Sequence, residues 1–298
     1  MLPVLALVVL AVLLAWPVPR LLARATSLRR APRAALVLWQ STAVASVLAA
    51  LLAAPAAVPA IAGREVRVSE HVPTLVVAAA LSLVVAVRLL VAGDRVGRNL
   101  RLVRRRHRDL VDLLGEPAAG QGRDTRVLEH TTPTAYCVPG VHRRVVVTQG
   151  TLARLAPGEL GAVLAHERAH LAARHDLVLE FFTVVHEAVP PVLRCDAALR
   201  EVNLLIEVLA DRAAVRDAGA VSTGRAIVAM AGGPKPAGTM AMRESTSAAR
   251  ARIDLLDART VAGLPVAVAA AGMYAVSALL VVAPLTLFAL AVAGLTLF

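Results

Sequence analysis

The chain carries no charged side chain in its first 19 residues, and it has little cysteine, lysine or aromatic side chain elsewhere. Of its 298 residues, two are cysteine, one is lysine and 3% are aromatic. No internal repeat is visible, which excludes a repeat architecture. A secretory signal peptide would need basic residues before its apolar stretch, whereas here the first basic residue is Arg20. We therefore expect the N-terminal segment to be retained in the membrane.

The basic residues are almost all arginine, and aromatic side chains do not interleave with them. Lys235 is the only lysine among 32 basic residues, a skew that indicates coding bias. Seven arginines lie between Arg95 and Arg108, directly after an apolar run, without an aromatic platform on which bases could stack. We therefore expect attraction to anionic membrane lipids and no direct nucleic-acid binding.

Long apolar runs dominate the sequence. Hydrophobic residues make up 58% of the chain, against roughly 45–50% in soluble domains, and the mean hydropathy is +0.68. Four runs are long enough to cross about 30 Å of hydrocarbon as helices. They cover about residues 1–19, 35–62, 72–92 and 263–298. The last run contains Pro284 and is too long for one straight span, so its end stays open.

The distribution of arginine predicts the orientation of these spans. Five arginines lie at 20–33, between the first two runs, whereas the loop after the second run has two arginines offset by two glutamates. By the positive-inside rule the first loop is cytoplasmic and the N-terminus lies outside. We therefore expect a multi-pass plasma-membrane protein with three spans in 1–93, a cytoplasmic domain at 94–262 and a further span at 263–298.

The predicted cytoplasmic domain is mainly helical. Two β-branched runs flank a Pro-Gly pair within residues 134–149, which is typical of a β-hairpin. A helix is then predicted over 157–176. Cys137 and Cys195 both fall in this domain, where reducing conditions disfavour a disulfide, so we expect free thiols.

The predicted helix carries the pattern HExxH at residues 166–170. On a helix, positions i and i+4 share a face, so His166 and His170 can bind one Zn²⁺. Glu167 can then act as the general base. It falls in the middle of the helix's apolar stripe, where a carboxylate without compensation is costly. This position favours a metal site over an ordinary solvated helix.

The third metal ligand does not follow directly after the motif. A metzincin would need Gly at 173 and His at 176, and Ala173 and Asp176 exclude that pattern. His175 is one position off and, on a continuous helix, would point away from the two histidines. A glutamate from a second helix is the other route.

Two glutamates on a later helix are candidates for this role. Glu207 lies 37 residues after His170, with Asp211 one turn further along the same face. Asp211 could accept an N–H from a ligand histidine and fix its orientation. Glu201 is the competing choice, but it has no acidic partner at the following turn.

These features together resemble the gluzincin membrane peptidases. That group includes the heat-shock membrane protease, the CAAX prenyl protease and the beta-lactam sensor-transducers of the BlaR/MecR type. The motifs cover about residues 125–216, and the order of spans is most similar to the sensor-transducers. The resemblance implies a mainly α integral membrane protein with about four transmembrane helices and a cytoplasmic zincin-type helical domain with a small hairpin. It implies one Zn²⁺ per chain with these residues: ligands His166, His170 and Glu207, general base Glu167, and Asp211 behind a ligand histidine.

The function implied is a zinc metalloendopeptidase that cleaves a cytoplasmic or membrane protein, with a transcriptional repressor as the candidate partner in signal transduction. The sensor-transducers continue into a penicillin-binding domain, whereas this sequence stops at Phe298, so we expect no direct beta-lactam sensing. Quality control of membrane proteins, a non-catalytic zinc-stabilised scaffold or receptor, and a zinc amidase or lipid hydrolase are the alternatives. An extended substrate would add to the exposed strand of the hairpin. Tyr136, His142 and Arg212 are weak candidates for the oxyanion donor.

Overall fold

The structure is a computed structural model that describes residues 1–62, 68–118, 120–140, 143–231, 246–256 and 264–293. Most of these residues are helical. The helices of the first part of the chain are α1 Leu2–Ala15, α2 Pro17–Arg24, α3 Pro32–Leu52, α4 Val58–Ala62 and α5 Val68–Leu114. The strands are β1 Glu116–Pro117, β2 Thr125–Leu128, β3 Ala135–Val138 and β4 Arg144–Thr148. The later helices are α6 Gln149–Arg154, α7 Pro157–Ala172, α8 His175–Ala188, α9 Asp196–Ala218, α10 Ala220–Met230, α11 Thr246–Asp254 and α12 Leu264–Val292.

Four helical stretches in the described ranges are long and apolar enough to cross a membrane. They are Leu2–Arg24, Pro32–Leu52, His71–Leu114 and Pro265–Val292. Their number agrees with the four predicted runs. The second stretch ends ten residues earlier than predicted, because Pro55 begins a short 3₁₀ turn there. In the described part of the last run, residues 264–293, the helix α12 runs from Leu264 to Val292 with Pro284 inside it.

Helix α5 joins two segments that the sequence separated. The prediction was a span over 72–92 and a separate domain from 94, but α5 continues without a break for 47 residues. No proline interrupts it after Pro73, and the arginine-rich stretch after Asp94 has good helix propensity. The apolar run and the polybasic run are therefore parts of one helix.

The chain divides into two compact units. Unit 1 comprises Met1–Asp94, Thr183–Glu201 and Ala267–Phe298, and unit 2 comprises Arg95–Phe182 and Val202–Val266. The prediction had placed all of 94–262 in one domain, whereas Thr183–Glu201 groups with the apolar helices. Two arginines of unit 1 contact this segment. Arg29 forms an ion pair with Glu201, and Arg88 donates hydrogen bonds to the backbone carbonyl groups around Ala188.

Unit 2 contains a four-stranded mixed sheet with the order β1-β2-β4-β3. Strands β3 and β4 pair antiparallel, which confirms the predicted hairpin, and β2 adds to β4 in parallel. The sequence indicated short extended pieces after Thr125, in agreement with β2, whereas β1 falls in a predicted loop because its two residues are too few to show a period. The side chains alternate between two faces, and all four residues of β3 are buried. This burial differs from the exposed strand that the sequence predicted.

The two faces of the sheet pack against different helices. Ala135 and Cys137 face the core that includes Val163 and Leu164 of α7. Tyr136 belongs to a separate cluster on the other face. Because each buried valine or leucine contributes roughly 1.5–3 kcal/mol, the sheet fixes the position of α7 firmly.

Helix α7 begins as predicted and ends four residues early. Pro157 occupies its first turn, and the Glu159 carboxylate accepts the N–H of Ala156. The helix ends at Ala172 instead of continuing to Asp176. Arg174 adopts a left-handed backbone conformation with φ +51°. This break starts α8 in a new direction.

Candidate metal centre

Two histidines of α7 and one glutamate of α9 converge in unit 2. Nε2 of His166 lies 3.0 Å from Nε2 of His170. The Glu207 carboxylate lies 3.4 Å from the first of these nitrogens and 3.6 Å from the second. One ligand atom from each residue falls within 4.8 Å of the others. The three residues predicted as metal ligands are therefore adjacent.

Asp211 bonds to the ring nitrogen of His166 that faces away from the other two candidate ligands. Nδ1 of His166 donates a hydrogen bond of 2.9 Å to the Asp211 carboxylate, which is 1% exposed. Burial would lower the pKa of His166, but Asp211 and Glu207 outweigh it and raise the pKa to about 9. The site thus favours positive charge between its ligands, which a bound cation would supply in place of the proton.

Arg252 is a member of this centre that the sequence did not reveal. It lies on α11, is buried, and donates hydrogen bonds of 2.7 and 2.6 Å to the two oxygens of Asp211. It also forms a 3.1 Å ion pair with Glu207. Burial raises the pKa of Asp211, but the hydrogen bonds and charge of Arg252 outweigh burial and lower it. Asp211 therefore stays ionised.

His175 approaches the second histidine, contrary to the prediction. On a continuous helix it would point away, but the break at Arg174 turns it back, and its Nδ1 lies 3.0 Å from Nδ1 of His170. His175 is 4% exposed. Burial lowers its pKa to about 4, so its imidazole is neutral.

Glu167 lies on the buried side of α7, as predicted. It is 9% exposed and lies near the thiol of Cys137 on β3. Burial, followed by the charge of Glu167, raises the pKa of Cys137 well above its usual value, so the thiol keeps its proton. Cys137 and Cys195 are both free, as expected.

The donor set fits a divalent cation such as zinc. Nδ1 of each histidine is engaged, with Asp211 for His166 and with His175 for His170, so both Nε2 atoms are directed at the same point. Two imidazole nitrogens 3.0 Å apart beside a carboxylate need a proton or a cation between them. Two histidines and one carboxylate are also the ligands of one class of catalytic zinc site, which keeps a further position open.

A cavity of about 60 Å³ adjoins this centre. Glu167 and His166 line its polar side, together with Asp211 and Arg252. Its apolar lining comes mostly from β3, α7 and α10, and consists of Pro133, Ala135, Ala162, Val163, Ala226, Ile227 and Met230. One ordered water needs at least roughly 10–15 Å³ of such space, so the cavity has room for a few waters or a small group.

The three candidates for the oxyanion donor were Tyr136, His142 and Arg212. The hydroxyl group of Tyr136 lies 2.9 Å from Nε2 of His107, and the ring belongs to the sheet face opposite α7. Burial raises the pKa of Tyr136 to about 12. His142 lies outside the described residues, and Arg212 is half-buried beside Asp211 on α9. The structure therefore does not bring Tyr136 to the metal centre.

The competing ligand candidate is engaged elsewhere. Glu201 pairs with Arg29 in unit 1, with 2.9 Å between Nε and Oε2. The group that could hold a metal contains Glu207. Of the two glutamates that the sequence left open, the geometry favours Glu207.

One comparison with known proteins gave a match. Residues 101–194 match the sequence model of peptidase family M48. Neither the curated proteins nor the solved structures gave a match. The matched segment contains the HExxH residues and ends before Glu207. The match therefore supports a metallopeptidase of this family.

Proposed function

We propose that this protein is a membrane-bound zinc metalloendopeptidase with its catalytic domain in the cytoplasm. The observation that carries the proposal is the convergence of His166, His170 and Glu207 beside the buried Glu167. The apolar helices support a membrane location, and the arginine-rich loop after the first of them supports a cytoplasmic site.

Zinc held by His166, His170 and Glu207 would supply Lewis-acid activation of water and of the scissile carbonyl group. Glu167 is the residue that accepts the proton of the attacking water and passes it to the leaving amine. The nearby Cys137 thiol keeps its proton, so it adds no second negative charge beside this carboxylate. Asp211 and Arg252 hold the His166 side of the centre in place.

The cavity supports a substrate with an apolar side chain next to the cleaved bond. It is small, and six of its lining residues are alanine, valine, isoleucine or methionine. β3 lies at the end of the sheet, and an extended substrate segment would add to it once the groups that bury its four residues move away. A folded substrate would first have to expose such a segment.

Two biological roles are compatible with this chemistry. In the first, the enzyme cleaves a cytoplasmic transcriptional repressor and so relays a signal, which the order of the membrane spans supports. In the second, it removes damaged membrane proteins. The small apolar cavity supports the second role, because it selects one side chain instead of a long recognition sequence.

A non-catalytic scaffold with a structural zinc is the candidate from another class. A purely structural site needs its ligands and no carboxylate poised beside them. The burial of Glu167 next to the ligand histidines therefore favours the enzyme.

The roles can be distinguished by comparing cells that express the wild type with cells that express Glu167→Gln at the same level. New protein N-termini are quantified in both. Signal transduction predicts one cleaved transcriptional regulator in the wild type alone, and quality control predicts many cleaved membrane proteins. An identical set of N-termini in the two strains would contradict both roles and favour the scaffold.

A further inference from the structure

His175 sits directly behind one of the proposed metal ligands. Its Nδ1 is 3.0 Å from Nδ1 of His170, and the two rings meet edge to face at 82° with centroids 4.9 Å apart. His175 and His170 are 4% and 2% exposed. Water therefore does not compete for this hydrogen bond.

An unusual backbone conformation at Arg174 brings His175 to this position. Five residues along a continuous helix, a side chain would lie about 140° away from His170. Arg174, with φ +51°, has a conformation that residues with a side chain rarely adopt, and it changes the chain direction just before His175. The carbonyl group of Arg174 then accepts the N–H of Leu177, which starts α8.

Ion pairs with Arg104 fix the first turn of α8. Asp176 is buried, and Arg104 of α5 lies 3.6 Å from its carboxylate and 3.3 Å from that of Glu180. These contacts fix the start of α8, and with it the backbone that carries His175.

The chemistry of the pair determines which ring donates. Nε2 of His170 faces His166 and Glu207, so this atom must keep its lone pair if it is to bind a metal. The proton of the His170 ring then resides on Nδ1, and His175 must accept it through its own Nδ1. Outer partners of this kind orient a ligand histidine and increase its basicity.

We propose that His175 is a positioning residue of the metal centre: it accepts the N–H of His170 and so directs Nε2 of that ligand toward His166 and Glu207. The role parallels that of Asp211 toward His166, with a neutral partner instead of a carboxylate. The inference rests on the proposed zinc site. It adds a residue beyond the HExxH motif and Glu207.

The test is the zinc affinity of full-length, detergent-solubilised protein, measured by competition with a chelator. His175→Asn keeps an acceptor oxygen near the place of Nδ1, whereas His175→Leu removes it. We expect the leucine variant to bind zinc 10- to 100-fold more weakly and the asparagine variant to stay within a few-fold of the wild type. Replacing zinc by Co²⁺ should shift the absorption bands of the bound ion in the leucine variant alone.

Further variants separate this role from plain packing. His130→Leu removes an exposed imidazole that is not in the group that could hold the metal, and it should bind zinc like the wild type. Thermal unfolding of the metal-free proteins reports on folding. If His175→Leu does not fold, the pair His175→Asn and His175→Gln decides, because the longer glutamine shifts the acceptor out of place and should bind zinc more weakly.

Two results would overturn the inference. One is a zinc affinity of His175→Leu equal to that of the wild type, and the other is an equal loss in the leucine and asparagine variants. Failure of the proposed function looks different, because the wild-type protein itself would then bind no zinc.

Discussion

Arg252 holds both oxygens of Asp211, at 2.7 and 2.6 Å, while Asp211 accepts the Nδ1 proton of His166. The three side chains come from α11, α9 and α7, so a continuous polar chain joins three helices behind the metal centre. Arg252 and Asp211 are 6% and 1% exposed. Removing one member leaves an uncompensated charge in the interior.

Arg252→Met should therefore destabilise the metal-free protein by about 3–5 kcal/mol, because it strands the buried Asp211 carboxylate. Thermal unfolding in detergent measures the loss. Arg250→Met is the matched control, since Arg250 lies exposed on the same helix. Adding Asp211→Asn to Arg252→Met should recover part of the stability, as it removes the stranded charge. Equal stability of Arg252→Met and the control would contradict this account.

Tyr136→Phe should leave catalysis nearly unchanged, because its hydroxyl group bonds to His107 on the face of the sheet opposite α7. The expected cost is about 1 kcal/mol of stability from the lost hydrogen bond. An oxyanion donor would behave differently, with a fall in kcat of roughly 10²- to 10³-fold. A kcat measurement on an unfolded protein substrate decides between the two.

The same tyrosine should resist ionisation. Burial raises its pKa to about 12, so the neutral form is favoured in the folded protein. An unfolded tyrosine ionises near pH 10. Below that pH the tyrosine is neutral in both states, so its burial adds no pH dependence to the free energy of unfolding. Stability then falls as the pH rises from about 10 toward about 12, because only the unfolded state loses the proton. The absorbance difference at 295 nm between the wild type and Tyr136→Phe should stay flat through pH 10. An ionisation step there would show that Tyr136 is solvated.

Ala226→Val should shift the preference of the enzyme toward substrates with a smaller side chain next to the cleaved bond. The added methyl groups extend into the cavity beside Glu167. A one-methylene mismatch changes kcat/KM by roughly 10- to 200-fold. In Ala226→Val, kcat/KM should therefore fall for peptides with leucine next to the cleaved bond, relative to peptides with alanine there. Ala153→Val, at an exposed position of α6, makes the same change away from the cavity. A peptide preference that does not change in Ala226→Val would show that the cavity is not used.

The sequence predicted those parts of the fold and site that depend on local periodicity. Apolar runs marked the long helices, β-branched runs marked the hairpin, and the helical spacing placed His166, Glu167 and His170 on neighbouring positions of one helix. The pairing of Glu207 with Asp211 followed from the same spacing on α9. Each of these depends on residues within one or two helical turns.

The remaining features depend on tertiary structure or on one unusual backbone residue. Nothing at position 174 favours a left-handed conformation, so the turn that brings His175 back to His170 could not be foreseen. Arg252 lies 41 residues after Asp211, across a segment whose path the sequence does not specify. The proximity of Cys137 to Glu167 likewise requires the sheet to lie against α7.

The most direct test of the account is the zinc content of purified, detergent-solubilised wild type, Glu207→Ala and Glu167→Gln, each assayed for cleavage of an unfolded protein. We predict about one zinc per chain in the wild type, loss of zinc in Glu207→Ala, and full zinc content in Glu167→Gln with cleavage reduced by at least about 10²-fold. Full zinc content in Glu207→Ala would contradict the third ligand. Undiminished cleavage by Glu167→Gln would contradict the central claim that Glu167 is the base of a metallopeptidase.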